Sequence, residues 1–413
     1  MKTNRLRIIL MAILALCVCS CGNKKEEKAG NMKYRSLGNT GIEVSEIGIG
    51  CGVFEYLDTA QSRQYMDIAI DSGINYMDIY DANPEVRDRI GYALQGRRDK
   101  MNIQAAIGNV WNAELNQNEG TRDVEKAKIG FEDLLSRLGT DHIEVGMMHI
   151  VDNMAEWDSL LGSPYIDYMK QLKSEGKIKH IGVSSHNASV ALAAAKSGLV
   201  EVIMFSLNPA FDRLSPEVSP WEAKESNLGQ MGIDPTHQQL YDYCAQNNIA
   251  IVVMKALGGG GRLLDAEKSP LGVALTPTQC LAYALAKPCV SVALCGSRCI
   301  DHLVDDLHYL VATDEEKDFE SALTANTQNS DHGNCTYCGH CTPCPAGINI
   351  AKVNQLLDKA QQSEEVPADV MAEYKALEHH AGECVGCGAC ENRCPFDVPI
   401  REKMQQAVRT FGF

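Results

Sequence analysis

Thr121-RDVEKAKIGFEDLLSR-Leu138, followed after three residues by His142-IEVGMMH-Ile150, is the stretch that decides the fold. In its first half Val124, Ala127, Phe131, Leu134, Leu135 and Leu138 share one face at helical spacing, the pattern of an amphipathic helix packed on a core. Its second half is a short, nearly continuous apolar run, the pattern of a strand covered on both faces. The same alternation runs from Tyr34 to about Leu310. Further strands are expected at Val44–Gly50, Ile74–Tyr80, Met101–Ile107, His180–Ser185, Val202–Asn208, Ile249–Leu257 and Cys289–Gly296. Thr276-Pro277-Thr278-Gln279 opens one of the helices, with an N-cap, a proline in the first turn and a capping-box glutamine. Eight strands, each followed by a helix, over about 270 residues give the count and length of a (β/α)8 TIM barrel. A doubly wound sheet is the rival, and no Gly-x-Gly-x-x-Gly follows the first strand to support it. Such barrels keep their chemistry at the C-terminal ends of the strands. The long segment Phe211–Thr236, rich in Pro, Ser and Gly, lies on that face and reads as a lid or substrate loop, or as a plain insertion.

Beyond the barrel the chain changes character. It reads Cys335-x-x-Cys338-x-x-Cys341-x-x-Cys344-Pro345 and, after some forty residues, Cys384-x-x-Cys387-x-x-Cys390-x-x-x-Cys394-Pro395. Three thiolates at spacing three on a tight loop grip one face of an iron–sulfur cube, and a fourth comes from elsewhere in the fold. Gly339, Gly386 and Gly388 stand between ligands, where the backbone turns sharply. A zinc site and disulfides are the bland alternatives; zinc prefers two separated pairs of ligands. The runs are similar to those of two-cluster ferredoxins, in which the fourth cysteine of each run serves the other cluster. That similarity implies one [4Fe–4S] cluster on Cys335, Cys338, Cys341 and Cys394, and another on Cys384, Cys387, Cys390 and Cys344. The first run closes with two intervening residues where the bacterial pattern has three, which leaves the cluster served by Cys344 open. Of the seventeen cysteines in the chain, Cys51, Cys244, Cys280, Cys289, Cys295 and Cys299 are scattered, mostly in apolar segments, and read as buried structural thiols.

The 413 residues, 45% of them apolar, exceed one small domain. Residues 1–21 read as a targeting segment: Lys2, Arg5 and Arg7 precede the apolar run Ile8–Val18, too short to span a bilayer as a folded helix. Ser20-Cys21 looks like the cleavage point of a bacterial lipobox, making Cys21 the lipidated residue; an ordinary secretory signal is the alternative. A polar tether follows at 22–33, then the barrel at 34–312, a bridging helix at 313–330 and the iron–sulfur domain at 331–413, closed by an amphipathic helix at 401–413. With the signal removed, 35 basic residues face 54 acidic ones, a net of −19. Such a surface is a poor match for nucleic acid or anionic headgroups, so attachment to the cell envelope is expected through lipid, and a basic electron-transfer partner is compatible.

Several motifs together resemble the aldo-keto reductase superfamily, specifically its members with a C-terminal ferredoxin-like domain. They are Tyr34-Arg-Ser-Leu-Gly-Asn-Thr-Gly41-Ile-Glu-Val-Ser45-Glu-Ile-Gly-Ile-Gly50, Asn75-Tyr-Met-Asp78, Gly91-Tyr-Ala-Leu94-x-Gly96-Arg-Arg98, Ile181-Gly-Val-Ser184, Asn208, Val253-Met-Lys255 and Gly296-Ser297-Arg298. The likeness covers nearly everything from residue 33 to 400. It implies a catalytic aspartate, tyrosine, lysine and histidine at the strand ends. The tyrosine protonates the carbonyl oxygen, and the lysine, held by the aspartate, lowers the tyrosine's pKa. Asp78 matches the aspartate and His149 the histidine. The tyrosine position falls on Asn83 and the lysine position on Ala106, so both are missing. A lysine that tunes a tyrosine has no task once the tyrosine is gone. Tyr80, His186, Lys255 and His149 itself are candidate replacements for the acid, against bland readings as packing, loop and surface residues.

The resemblance also implies nicotinamide contacts at Ser184, Asn208 and Lys255, and phosphate contacts at Gly296, Ser297 and Arg298. The run Gly258–Gly261 would let backbone approach a cofactor, or is simply a flexible loop. The expectation is a lipid-anchored envelope oxidoreductase with noncanonical catalytic residues, two [4Fe–4S] clusters and NAD(P)(H), acting on a small organic substrate. Its rivals are a non-catalytic barrel scaffold and an electron-transfer lipoprotein without nicotinamide chemistry.

Overall fold

The computed structural model describes residues 31–229, 232–324, 333–335, 337, 339–361, 363, 365–394 and 396–413. Twelve strands are formed among them: β1 (Tyr34–Ser36), β2 (Glu43–Ser45), β3 (Ile47–Gly50), β4 (Tyr76–Ile79), β5 (Asn102–Ile107), β6 (Asn109–Asn112), β7 (Gln117–Gly120), β8 (Ile143–Met148), β9 (Ile178–Ser185), β10 (Val202–Ser206), β11 (Ala250–Met254) and β12 (Val290–Cys295). Eight of these close a parallel barrel in the order β3-β4-β5-β8-β9-β10-β11-β12, with β12 hydrogen-bonded to β3. Every expected barrel strand is present, and the doubly wound alternative falls.

Side chains alternate as a closed sheet requires. Tyr76, Val145, Met147, Val202, Met204, Val252, Val292 and Leu294 fill the lumen, while Met77, Ile79, Ile103, Ile143, Ile203 and Val253 join the layer under the helices. The helix expected from Val124 runs Val124–Leu138, with Ala127, Phe131, Leu134, Leu135 and Leu138 buried. Its N-cap is Asp123, whose side chain accepts from Lys126 N, and Gly139 in the left-handed region ends it. Thr276 and Gln279 form the expected capping box of Pro277–Leu285.

Two expectations need correction. The run Val44–Gly50 is split at Glu46, whose carboxylate pairs with Arg35 at 3.1 Å while its N–H bonds the carbonyl of Lys33 at 2.9 Å. The split frees β2 to pair antiparallel with β1 and plug the barrel floor, burying Leu37 and Val44. Gly38 sits in that plug at φ +55°, and a Cβ there would lie 2.5 Å from the carbonyl oxygen of Asn248, so only glycine fits. The bridging helix is two short pieces, Asp314–Lys317 and Phe319–Thr324. Asp318 breaks it by turning its carboxylate back to cap Glu320 N and Ser321 N.

The C-terminal unit is a small helical layer of Ile350–Ala360, Ala368–Lys375 and Ile400–Phe411. Tyr374 stacks on Phe411 with centroids 3.9 Å apart, and several cysteines pack against the same core. Cys51, Cys244, Cys280, Cys289 and Cys295 are buried free thiols as expected, and Cys299 is half-buried. Among the described residues no helix is long and apolar enough to cross a membrane. Cys21 and the targeting segment lie outside the described residues.

Candidate active site

The strand ends place Asp78 at the barrel mouth in an unusual setting. It is almost fully buried, and Gln104 Nε2 donates to its Oδ1 at 2.8 Å. Tyr76 in turn donates to Gln104 Oε1 at 2.7 Å. Gln104 lies two residues before Ala106 on β5, so both face the lumen. The hydrogen-bond partner of the Asp78 carboxyl is therefore an uncharged amide. Burial without a cation pushes Asp78 up to about 7, close to half-protonated at neutral pH.

Asn83 is not a displaced acid. Its side chain caps the helix Pro84–Leu94, accepting from Glu85 N at 2.9 Å, with Pro84 at the first turn. Asn83→Ala should therefore lower stability by about 1 kcal/mol, the usual cost of a lost cap, read as a shift in the thermal midpoint. A loss several times larger would mean the residue does more than cap.

His149 follows β8 and is anchored through its backbone. Arg122 Nη2 donates to the carbonyls of His149 at 2.7 Å and Ile150 at 3.2 Å, and pairs with Glu156 at 2.8 Å. Ile150 holds φ +48°, a strained conformation for a β-branched residue. Ser184 Oγ compensates by accepting from Ile150 N at 2.7 Å. Ser184 thus shapes the turn that presents His149. Burial first, then the cations Arg122, His186 and Lys255, hold the imidazole down at about 4. The ring is neutral at physiological pH and can orient a carbonyl by a hydrogen bond, with no proton to spare. Tyr80 lies beside it, the two rings parallel within 4° at 6.5 Å; burial, Cys51 and Glu55 push its phenol far above the ordinary value.

A second group gathers at the ends of β9 and β11. Asp152 Oδ2 lies 2.9 Å from His186 Nδ1, and Oδ1 accepts from His186 N at 2.7 Å. His186 Nε2 bonds Lys255 Nζ, which also sits 4.3 Å from the ring centroid of Trp221. Trp221 belongs to the 211–236 segment and is 66% exposed. Asn208 donates from Nδ2 to the Lys255 carbonyl at 2.9 Å, and its Oδ1 accepts from Ala210 N and Phe211 N at 3.0 Å each. Asn208 therefore organises backbone, and Lys255 faces His186 and Trp221.

The loops after β11 and β12 frame a cavity of about 260 Å³ lined by Leu257, Gly260, Gly261, Gly296, Arg298, His302, Asp305 and Asp306, among others. Gly258, Gly259, Gly260 and Gly261 all take φ between +70° and +86°, a left-handed run that only glycine sustains. Ser297 Oγ bonds buried Asp306 at 3.2 Å, whose carboxyl is raised to about 6 by burial. Arg298 is exposed, its guanidinium near Tyr56.

In the C-terminal unit Cys344, Cys384, Cys387 and Cys390 line one cavity with Ile348, Ile350, Ile400 and Met404. This donor set, four soft thiols in an apolar wall, fits an iron–sulfur cube. The shorter spacing before Cys344 has not kept it from the second run. Arg393 spans the two cysteine loops, donating to the carbonyls of His340, Cys341 and Pro343. Asn354 Nδ2 approaches Cys335 Sγ at 3.3 Å; Cys338 lies outside the described residues.

Sequence reasoning missed Gln104, Asp152 and Trp221. Gln104 carried a signal, a polar residue at even spacing on an otherwise apolar lumen strand. Asp152 and Trp221 sit in loops and carried none.

Residues 46–273 match the model of the aldo/keto reductase family, and residues 334–400 that of the 4Fe-4S dicluster domain. The uncharacterized oxidoreductase YqkF of Bacillus subtilis is 28% identical over 318 residues, 72% of this chain and 97% of that protein. The aldo-keto reductase YhdN of the same organism is 29% identical over 165 residues, 37% of this chain and 47% of that protein. The holo form of aldo-keto reductase AKR11C1 from Bacillus halodurans superposes with a TM-score of 0.56 at 24% identity, covering 71% of this chain and 96% of that one.

Proposed function

The chain belongs to the aldo/keto reductase family, carries a 4Fe-4S dicluster domain and is an oxidoreductase by both likenesses. From that premise we propose that it carries out redox chemistry on a small organic carbonyl or alcohol with NAD(P)(H), using a noncanonical site. One observation carries this reading: Asp78 and His149 both stand at the strand ends, Asp78 held by a buried bond from Gln104 and His149 by a half-buried bond from Arg122 to its backbone carbonyl. Structural filler in the lumen would be apolar; a carboxyl buried with only an amide for company is costly to keep.

Gly296, Ser297 and Arg298, with the glycine run opposite, would hold the phosphates of the nucleotide, where backbone N–H groups and one guanidinium suit an anion. Ser184 and Asn208 act one step back, through the backbone of Ile150 and Lys255. Cys335, Cys338, Cys341 and Cys394 would hold one [4Fe–4S] cluster and Cys344, Cys384, Cys387 and Cys390 the other. Nicotinamide supplies hydride and the clusters single electrons, to the site or to an external electron-transfer partner. Neutral His149 orients the carbonyl, and Asp78 with Gln104 sets the polarity of the lumen beneath it. We place the mature protein on the bacterial envelope through a lipid on Cys21, with the tether, barrel, linker and cluster boundaries given from the sequence.

Asn83 favours a second reading, since a side chain spent on a helix cap is what a retired site leaves behind. The barrel would then serve an electron carrier. Anaerobic addition of NADPH and then NADH to cluster-loaded protein separates the two. Bleaching of the broad cluster absorbance supports nicotinamide chemistry. Clusters that dithionite reduces and neither nucleotide touches would leave the carrier reading standing.

A further inference from the structure

Three strand ends converge on one ammonium group. Lys255 leaves β11 at φ +59°, a conformation unfavourable for a long side chain, and Asn208 pins its carbonyl at 2.9 Å. The strain aims Nζ across the mouth at His186, which follows β9. His186 is itself aimed: Asp152, after β8, holds both its backbone N–H and its Nδ1. A carboxylate at Nδ1 keeps the hydrogen there and turns the Nε2 lone pair toward Lys255. Trp221 covers the ammonium at 4.3 Å. Strain, a fixed tautomer and an aromatic roof are more than a surface lysine needs.

Reduction of a carbonyl needs a proton for the oxygen. Asn83 and Ala106 supply none, and His149 is held neutral. We propose that Lys255, His186 and Asp152 form the proton relay of this site, the Lys255 ammonium protonating the oxygen of a bound aldehyde or ketone. This rests on the reductase reading above. As hydride reaches the carbonyl carbon from the bound nicotinamide, an O–H bond forms and a Lys255 N–H bond breaks. To recharge the amine, Nε2 of His186 takes a proton from solvent, giving an imidazolium that the Asp152 carboxylate stabilises at Nδ1; that Nε2 proton then passes to Lys255 Nζ, and the ring returns to its Nδ1–H form. Lys255 is catalytic in this scheme, and Asp152 is a positioning residue.

The charged and titratable groups around Lys255 are His186, Asp152 and, across the mouth, His149 with Arg122 behind it. Burial brings Lys255 down to about 8, against a smaller upward pull from Asp152. An acid must be protonated, so turnover should fall as pH rises through that value. Asp152→Asn removes the upward pull and should move the fall to lower pH.

Two readouts on the full, cluster-loaded protein test the relay. Trace labelling with isotopic acetic anhydride across a pH series, read by mass spectrometry at Lys255, should show a midpoint about two units below that of an ordinary lysine near 10.4. In Asp152→Asn the midpoint should fall further. An ordinary midpoint, or one that Asp152→Asn leaves in place, overturns the relay. In reduction of 4-nitrobenzaldehyde by NADPH, Lys255→Met and Lys255→Arg should each lose about 10²–10⁴ in kcat, the second because a guanidinium cannot give up its proton. Loss of less than about threefold in both also overturns it. If the wild type reduces no aldehyde, the reductase reading fails, and the labelling midpoints alone decide whether the relay exists.

Discussion

Cys344→Ala is expected to remove half of the iron and half of the cluster absorbance, and Cys335→Ala the other half. The thiol of Cys344 comes from the first cysteine run yet shares a cavity with Cys384, Cys387 and Cys390 of the second, so the two runs are laced together. Combination variants expose the lacing. Cys344→Ala with Cys384→Ala should lose no more iron than either alone, because both strip one cube. Cys344→Ala with Cys335→Ala should lose all of it. The reverse pattern would assign Cys344 to its own run. The structural effect should be large as well. Cys341 and Cys390 are buried in the core formed by Val353, Leu356, Leu357, Tyr374 and Phe411, and Cys335, Cys344, Cys384 and Cys394 pack against it. A cube held there is part of the core, and structural metal sites contribute on the order of 10 kcal/mol to the folding of small domains. The double variant should therefore lose the cooperative unfolding of the C-terminal unit while the barrel keeps its own transition.

The barrel was legible because parallel strands covered on both faces have little choice but to be apolar runs. Where that constraint relaxes, so does legibility. Glu46 interrupts a run that reads as one strand, and only Arg35, eleven residues earlier, explains a carboxylate there. The hairpin of β6 and β7 is spelled Asn109-Val-Trp-Asn112 and Gln117-Asn-Glu-Gly120, too polar to stand out. Its purpose is tertiary: Asn109 and Asn118 bond the backbone of Tyr80 and Ala82 behind Asp78. The site divides in the same way. Asp78, His149, Ser184, Asn208 and Lys255 could be found because the resemblance to the reductase family assigns roles to those strand-end positions. What each does could not, since Ser184 and Asn208 turned out to serve backbone, and Lys255 acquired its partner from a loop aspartate with no pattern of its own.

Asp78→Asn should make the protein more stable at alkaline pH and less active, and the two changes belong together. The carboxyl is raised from 3.8 to about 7, chiefly by burial. For an acid shifted upward the sign is fixed: the folded state prefers the protonated form, so its stability is fully present below the unfolded value near 4 and is lost as pH rises through 7. Some three units at 1.36 kcal/mol each give a penalty of about 4 kcal/mol above pH 8, as an upper bound. Asparagine keeps an oxygen to accept from Gln104 Nε2 and cannot ionise, so the variant should match the wild type near pH 4 and exceed it progressively toward pH 8. Denaturant midpoints across that range check this, and parallel curves would mean that Asp78 is not ionising in the folded protein. Turnover of any carbonyl that the wild type reduces should fall by about tenfold or more in Asp78→Asn. A variant that gains stability at pH 8 and keeps full turnover would remove Asp78 from the catalytic machinery and leave Lys255, His186 and His149 to carry the reaction between them.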